Sequence, residues 1–210
     1  MKKHVYLGTA FVVALCALGA GCSSSSTSTN TTSNTNQAVA NVNTNTTDTT
    51  NTAAFNAKAN NSAILSDAYG QWANGATAST QYGSEDWSAK QATNTPDVTE
   101  YGDDSNAWAP AEKNKGTETL ELTYAKAVYV NGVRIRESSG SGAVSAVELK
   151  DIDGNYHSIW SGIDTTKELN YFQIPVTTTT YKVNGVRITF DTTLLPEDWV
   201  EVDAVQLVGK

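Results

Sequence analysis

Cysteine is almost absent from this chain. Only Cys16 and Cys22 occur in 210 residues. Everything after Cys22 therefore lacks disulfides, thiolate metal sites and cysteine nucleophiles. Histidine is equally scarce: His4 lies in the N-terminal leader, which leaves His157 alone in Asn155-Tyr156-His157-Ser158-Ile159-Trp160. One histidine supports neither a zinc cluster nor a Ser-His-Asp arrangement, and this one is expected on the exposed face of a strand. Basic charge is also short, with 14 Lys and Arg against 22 Asp and Glu. That balance disfavours nucleic acid and anionic lipid headgroups, both of which need a basic surface. The apolar run Val5–Ala20 is too short for a comfortable membrane span.

The N-terminus does contain a processing signal. Lys2 and Lys3 precede the apolar run, as in a secretory signal peptide. The run closes on Leu18-Gly19-Ala20-Gly21-Cys22-Ser23, which resembles a bacterial lipobox. Leu18 stands four residues before the cysteine, and Gly19 takes the place where the usual pattern has leucine. Residues 1–21 are read as a signal peptide and Cys22 as the lipidated new N-terminus. Without Lys2 and Lys3 the mature chain has 12 basic and 22 acidic side chains, a net charge of −10. The expected location is exported and lipid-anchored in a bacterial cell envelope. Ser23 favours the outer membrane where there is one.

Residues 23–62 are low complexity, with Ser, Thr and Asn at 28 of 40 positions. Such a segment buries too little apolar surface to offset chain entropy, so residues 22–66 are read as a disordered tether. From Asp67 tyrosine and tryptophan appear, and residues 67–210 are read as one folded domain, large enough to form its own core.

The clearest β pattern in that domain is 117–137. Leu120, Leu122 and Tyr124 alternate with Glu121 and Thr123, the period of a half-buried strand. Val128 and Val130 follow; after Asn131-Gly132 the apolar set resumes at Val133 and Ile135, with Arg134 and Arg136 on the opposite face. A bulge or a tight turn at Asn-Gly would absorb the slip. Val-Asn-Gly-Val-Arg-Ile returns at 183–188 with the same slip, which suggests equivalent central positions in an antiparallel sandwich.

Further strands are expected near Ala78–Tyr82, at Val147 and Leu149, at Tyr156–Trp160 after an Asp153-Gly154 turn, at Phe172 and Ile174, and from Trp199 to Val208. Ala107-Trp108-Ala109-Pro110 should anchor the core at the end of a long loop. About eight evenly spaced strands and no convincing helix give an all-β, antiparallel sandwich or jelly roll. Carboxylate pairs occur at Glu85-Asp86, Asp103-Asp104 and Glu201/Asp203, but two-carboxylate hydrolysis needs a cleft that a small sandwich rarely offers. The chain is therefore read as noncatalytic.

Leu-Glu-Leu-Thr-Tyr followed by Val-Tyr-Val-Asn-Gly-Val-Arg-Ile resembles the central motif of the discoidin, or coagulation factor 5/8 type C, family. Asn184–Ile188 and Glu201–Leu207 resemble its last two strands. Gln81-Tyr82-Gly83 through Ala107-Trp108-Ala109-Pro110 is closer to a subgroup that includes the SD scarf of pappalysin. The resemblance spans about 77–209 and implies the galactose-binding-like jelly roll. Thr119 stands where the family often has Trp, and the cysteine pair of many animal members is missing.

The resemblance also implies a structural calcium ion, because related carbohydrate-binding domains often hold one between the first long loop and a C-terminal Glu. Asp97, Asp103, Asp104, Glu201 and Asp203 are the residues in the corresponding places, and calcium favours such oxygen donors. For a ligand, aromatic faces and polar side chains are needed, which points to Trp87, Tyr101, Trp160 and Arg136, with Trp199 a further aromatic candidate. Arg134, Arg136 and Arg187 could instead pair across strands with Glu121, Glu137 and Glu148. The expected role is a cell-surface binding lipoprotein for a carbohydrate or protein ligand. Alternatives are an accessory subunit of an envelope complex and, less favoured, a hydrolase.

Overall fold

The computed structural model describes residues 55–195 and 198–210. The leader, Cys22 and the tether as far as residue 54 lie outside the described residues. Among the described residues, nine strands form two antiparallel sheets. They are β1 (Gly70–Trp72), β2 (Gly75–Ala78), β3 (Thr117–Val128), β4 (Val130–Ser139), β5 (Val144–Asp151), β6 (Tyr156–Ser161), β7 (Asn170–Pro175), β8 (Val183–Asp191) and β9 (Glu201–Gly209). One sheet has the order β1-β9-β4-β7 and the other β2-β3-β8-β5-β6. The expected single strand near Ala78–Tyr82 is instead the short pair β1 and β2, which end by Ala78. The last strand starts at Glu201 and leaves Trp199 in a loop.

The alternation in β3 places Leu120, Leu122 and Tyr124 in the core, with Leu120 opposite Ile188 and Leu122 opposite Val186. The two Val-Asn-Gly-Val-Arg-Ile segments hold matching central places: β4 lies between β9 and β7, and β8 between β3 and β5. Neither Asn-Gly forms a hairpin turn. The ladder slips instead, between Val130 and Gly132 against β9, and between Thr123 and Val128 of β3 against β8. Trp108 is fully buried, 5.1 Å from the Phe190 ring, and its Nε1 donates to the Thr80 carbonyl at 3.0 Å.

The N-terminal boundary differs from the reading of the sequence. Residues 55–66, assigned to the tether, pack on the outer face of the four-stranded sheet. A short helix, α1 (Asn61–Leu65), starts from Asn60, whose Oδ1 accepts from the Ala63 N–H. Ile64 is fully buried, and its carbonyl accepts from Gln206 Nε2 at 3.0 Å. Gln173 donates to the Ala59 carbonyl, and Tyr171 to Asn61. The Phe55 ring lies over Arg134, its centroid 4.7 Å from the guanidinium carbon. A Cβ on Gly132 would stand 2.0 Å from the Phe55 ring, so only glycine admits that ring. A segment poor in apolar side chains is ordered here because its carbonyls accept from Gln173 of β7 and Gln206 of β9, while the Phe55 ring covers Arg134 of β4.

The same covering layer corrects the arginine reading. Arg134 is 1% exposed and bonds to Asp67 and Gln206, both at 2.7 Å. Arg136 is buried in an ion pair with Asp203 at 3.2 Å. Only Arg187 makes the expected cross-strand pair, with Glu148 at 2.6 Å and Glu121 at 3.8 Å. His157 is half-buried rather than free on a strand face: Nε2 lies 2.8 Å from Asp151, and the ring stacks on Tyr181 at 3.9 Å.

Candidate functional site

Two loops meet beside the start of β9: residues 79–116, between β2 and β3, and, between β8 and β9, residues 192–195 and 198–200. Their aromatic side chains build a groove. Tyr82 stands edge-on to Trp87, with centroids 5.5 Å apart, and to Trp199, at 5.8 Å. Such edge-to-face contacts fix ring orientation. Trp87 is fixed further, since its Nε1 donates to Asp103 Oδ1 at 2.9 Å and its main chain bonds to Ser105 and Ala109. Trp87 has φ +50°, a left-handed conformation that costs a non-glycine residue energy and needs such bracing. Trp199 donates to the Pro110 carbonyl at 3.0 Å, and the Lys113 ammonium lies 5.2 Å from its ring centroid.

The groove has two adjoining lobes. The aromatic lobe, about 110 Å³, is lined by Tyr82, Trp87, Asp103, Ala109, Trp199 and Glu201. The polar lobe, about 310 Å³, adds Tyr101, Gly102, Lys113, Ser139 and Asp198, and shares Asp103, Trp199 and Glu201 with the first. Glu201 forms the buried floor common to both lobes. Burial pushes its carboxyl up to about 8, and the neighbouring Asp103 carboxyl adds to the rise, while the Asp104 N–H, donating to Oε2 at 3.1 Å, holds it down. Tyr82 and Tyr101 stay exposed, so the rings are open to a ligand.

Of the residues expected to bind ligand, the structure brings Trp87 and Tyr101 to this groove. Trp160 lies elsewhere, in β6, packed edge-on against Phe172 at 4.8 Å. Arg136 is spent inside the fold: besides Asp203 it donates to the Val98 carbonyl at 3.3 Å and lies 4.9 Å from the Tyr171 ring. Trp199 joins the groove, and so do Tyr82 and Lys113, which were not singled out as ligand residues. Tyr82 was visible only as part of the Gln-Tyr-Gly phrase.

The five carboxylates expected to share calcium fall into two sets. Asp203 Oδ1 accepts from the Asp97 N–H at 3.1 Å, and Oδ2 faces Arg136. Burial raises the Asp203 carboxyl to about 6 against the pull of the Asp97 and Val98 N–H groups and of Arg136. With its charge answered by arginine, Asp203 is a poor calcium ligand, and the exposed Asp97 is set with it. Asp103, Asp104 and Glu201 form the other set, at the groove. Among the described residues no three acidic or histidine side chains gather into a ready metal cage. Of the expected five, Glu201 and Asp103 are the two whose carboxyls face each other at the groove.

Residues 62–210 match the family described as pappalysin-1, SD scarf domain, C-terminal. The comparison with curated proteins finds no match. Among solved structures, the chain is similar to chitosan-binding module 1 of a chitosanase/glucanase from Paenibacillus sp. IK-5, with 17% identity, 64% of this chain, 94% of that one and a TM-score of 0.51. It is similar to a CBM32 domain from Clostridium perfringens in complex with GalNAc-β-1,3-galactose, with 14% identity, 64% and 94% coverage and a TM-score of 0.50. It is also similar to XRCC1 bound to the DNA polymerase β catalytic domain, with 12% identity, 67% and 97% coverage and a TM-score of 0.50. At these identities the likeness shows the fold, a discoidin-type jelly roll.

Proposed function

We propose that this chain, which belongs to the pappalysin-1 SD scarf family, is a noncatalytic binding lipoprotein. Its ligand is a carbohydrate or a protein, taken in the groove of Tyr82, Trp87, Tyr101 and Trp199. Cys22 carries the lipid anchor, and the Ser/Thr/Asn-rich segment holds the domain away from a bacterial membrane, the outer one where it exists. The observation that carries the reading is the braced aromatic lobe beside a polar lobe. Stacking faces with a few placed polar groups are what sugar recognition needs. The same fold occurs in a chitosan-binding module, in a domain holding GalNAc-β-1,3-galactose and in XRCC1 bound to a polymerase domain, which supports both ligand classes.

The reading keeps one structural calcium ion, with Glu201 and Asp103 as its side-chain ligands. What supports it is that a cation there would relieve two facing carboxyls and join the long loop to β9. A glycan array probed with the full chain tests the function. Binding to a defined glycan class is the expected result. An accessory subunit of an envelope complex would ignore free glycans, and a hydrolase would degrade them.

A further inference from the structure

Glu137 lies two residues beyond Ile135 in β4, and the ladder to β9 slips on both sides of it. It is only 1% exposed, and Asp164, in the loop between β6 and β7, is 5% exposed and lies against it. Each carboxyl has one oxygen held by a main-chain N–H. Gly142 donates to Glu137 Oε2 at 3.3 Å, and Thr166 donates to Asp164 Oδ1 at 2.8 Å. The other oxygen of each, Glu137 Oε1 and Asp164 Oδ2, is buried and receives no N–H or hydroxyl donor; the two carboxyls lie within hydrogen-bond reach of each other. Among the described residues no Lys, Arg or His forms an ion pair with either one. Gly142, which donates to Glu137, also lies close to two main-chain oxygens: a Cβ on it would stand 3.3 Å from the Thr166 carbonyl and 3.5 Å from that of Asp164.

We propose that Glu137 and Asp164 hold a divalent cation of the calcium type, separate from the groove, that ties the end of β4 to residues 162–169. A single proton shared between Oε1 and Oδ2 would still leave one negative charge buried without a counter-charge, which is costly. A divalent cation cancels both charges and uses the two free oxygens. The donors are all oxygen, which suits calcium rather than zinc. His157, the one histidine in the domain, is engaged with Asp151. Main-chain carbonyls and water complete the shell.

The test is calcium titration calorimetry on the chelator-treated full chain, with Glu137→Gln, Asp164→Asn and Glu201→Gln alongside wild type. Wild type and Glu201→Gln should share a site that Glu137→Gln and Asp164→Asn weaken at least tenfold. Calcium should raise the melting temperature of wild type, and Glu201→Gln should keep the part of that rise that Glu137→Gln and Asp164→Asn lose. A wild-type chain that binds no calcium overturns the proposal, and so do Glu137→Gln and Asp164→Asn chains that bind as many calcium ions, as tightly, as wild type. Should those variants misfold, anomalous scattering from wild-type crystals grown with a lanthanide decides the matter. A peak between Glu137 and Asp164 supports the site, and its absence there overturns it.

Discussion

Replacing Glu137 with glutamine should change how the stability of the domain depends on pH. Burial, then the neighbouring Asp164, push the Glu137 carboxyl up to about 9 from the usual 4.5. In the absence of divalent ions the folded chain therefore keeps a proton that the unfolded chain releases. Stability from this group is complete below about 4.5 and is lost as pH rises towards about 9. One proton bound in only one state gives a slope of about 1.4 kcal/mol per pH unit, or about 2.7 kcal/mol between pH 6 and pH 8. Water entry and sharing of the proton with Asp164 reduce this, so about 1–2 kcal/mol is the working figure. For a domain of this size that is roughly 2–8 °C in melting temperature. Glutamine cannot ionise. Melting curves at pH 6 and pH 8 with chelator present should show wild type falling more steeply than Glu137→Gln by that amount. Glu201 and Asp203 titrate in both proteins, so the difference isolates Glu137. Parallel slopes would refute the reasoning. With calcium present, wild type should regain the lost stability while Glu137→Gln does not.

Other perturbations address other parts of the molecule. A chain starting at Asp67 should melt below one starting at Phe55, because Gln206 and Gln173 lose their partners at Ile64 and Ala59. Each buried group left unpaired costs about 1–3 kcal/mol, and equal melting temperatures would place residues 55–66 outside the fold. Cys22→Ala should move the protein from the membrane to the soluble fraction, and continued membrane retention would count against lipidation. Glu201→Gln should reduce the rise in melting temperature that calcium produces. A rise unchanged from wild type would remove the ion from the groove.

The strand framework was legible because it is written locally. Leu120, Leu122 and Tyr124 alternate, and the repeated Val-Asn-Gly-Val-Arg-Ile marks the two central strands. What alternation does not reveal is whether the polar face of a strand meets water. Arg134 and Arg136 read as outward-facing, yet residues 55–67 cover Arg134, while Val98, Tyr171 and Asp203 enclose Arg136. That covering segment has the composition of a disordered chain, so its packing is visible only from the partners it satisfies. The groove was half legible. Trp87 and Tyr101 stood out as aromatics in a loop rich in turn formers. Trp160 looked equivalent, but it packs edge-on against Phe172. Glu137 and Asp164 were hidden for a different reason: they lie 27 positions apart, and it takes the β4 bulges and a loop from beyond β6 to bring them together.

The central claim is that ligand is bound in the groove through its aromatic lobe. Tyr82 is 57% exposed, so Tyr82→Ala removes a stacking face with little effect on the core. Aromatic contacts of this kind contribute about 0.5–1.5 kcal/mol. The direct measurement is the glycan-array signal of Tyr82→Ala beside wild type, with Trp160→Phe as a control away from the groove. Wild type and the control should bind the same glycan class, and Tyr82→Ala should bind it roughly two- to tenfold more weakly. Equal binding by Tyr82→Ala would contradict the account, and no glycan bound by wild type at any density would contradict its carbohydrate arm.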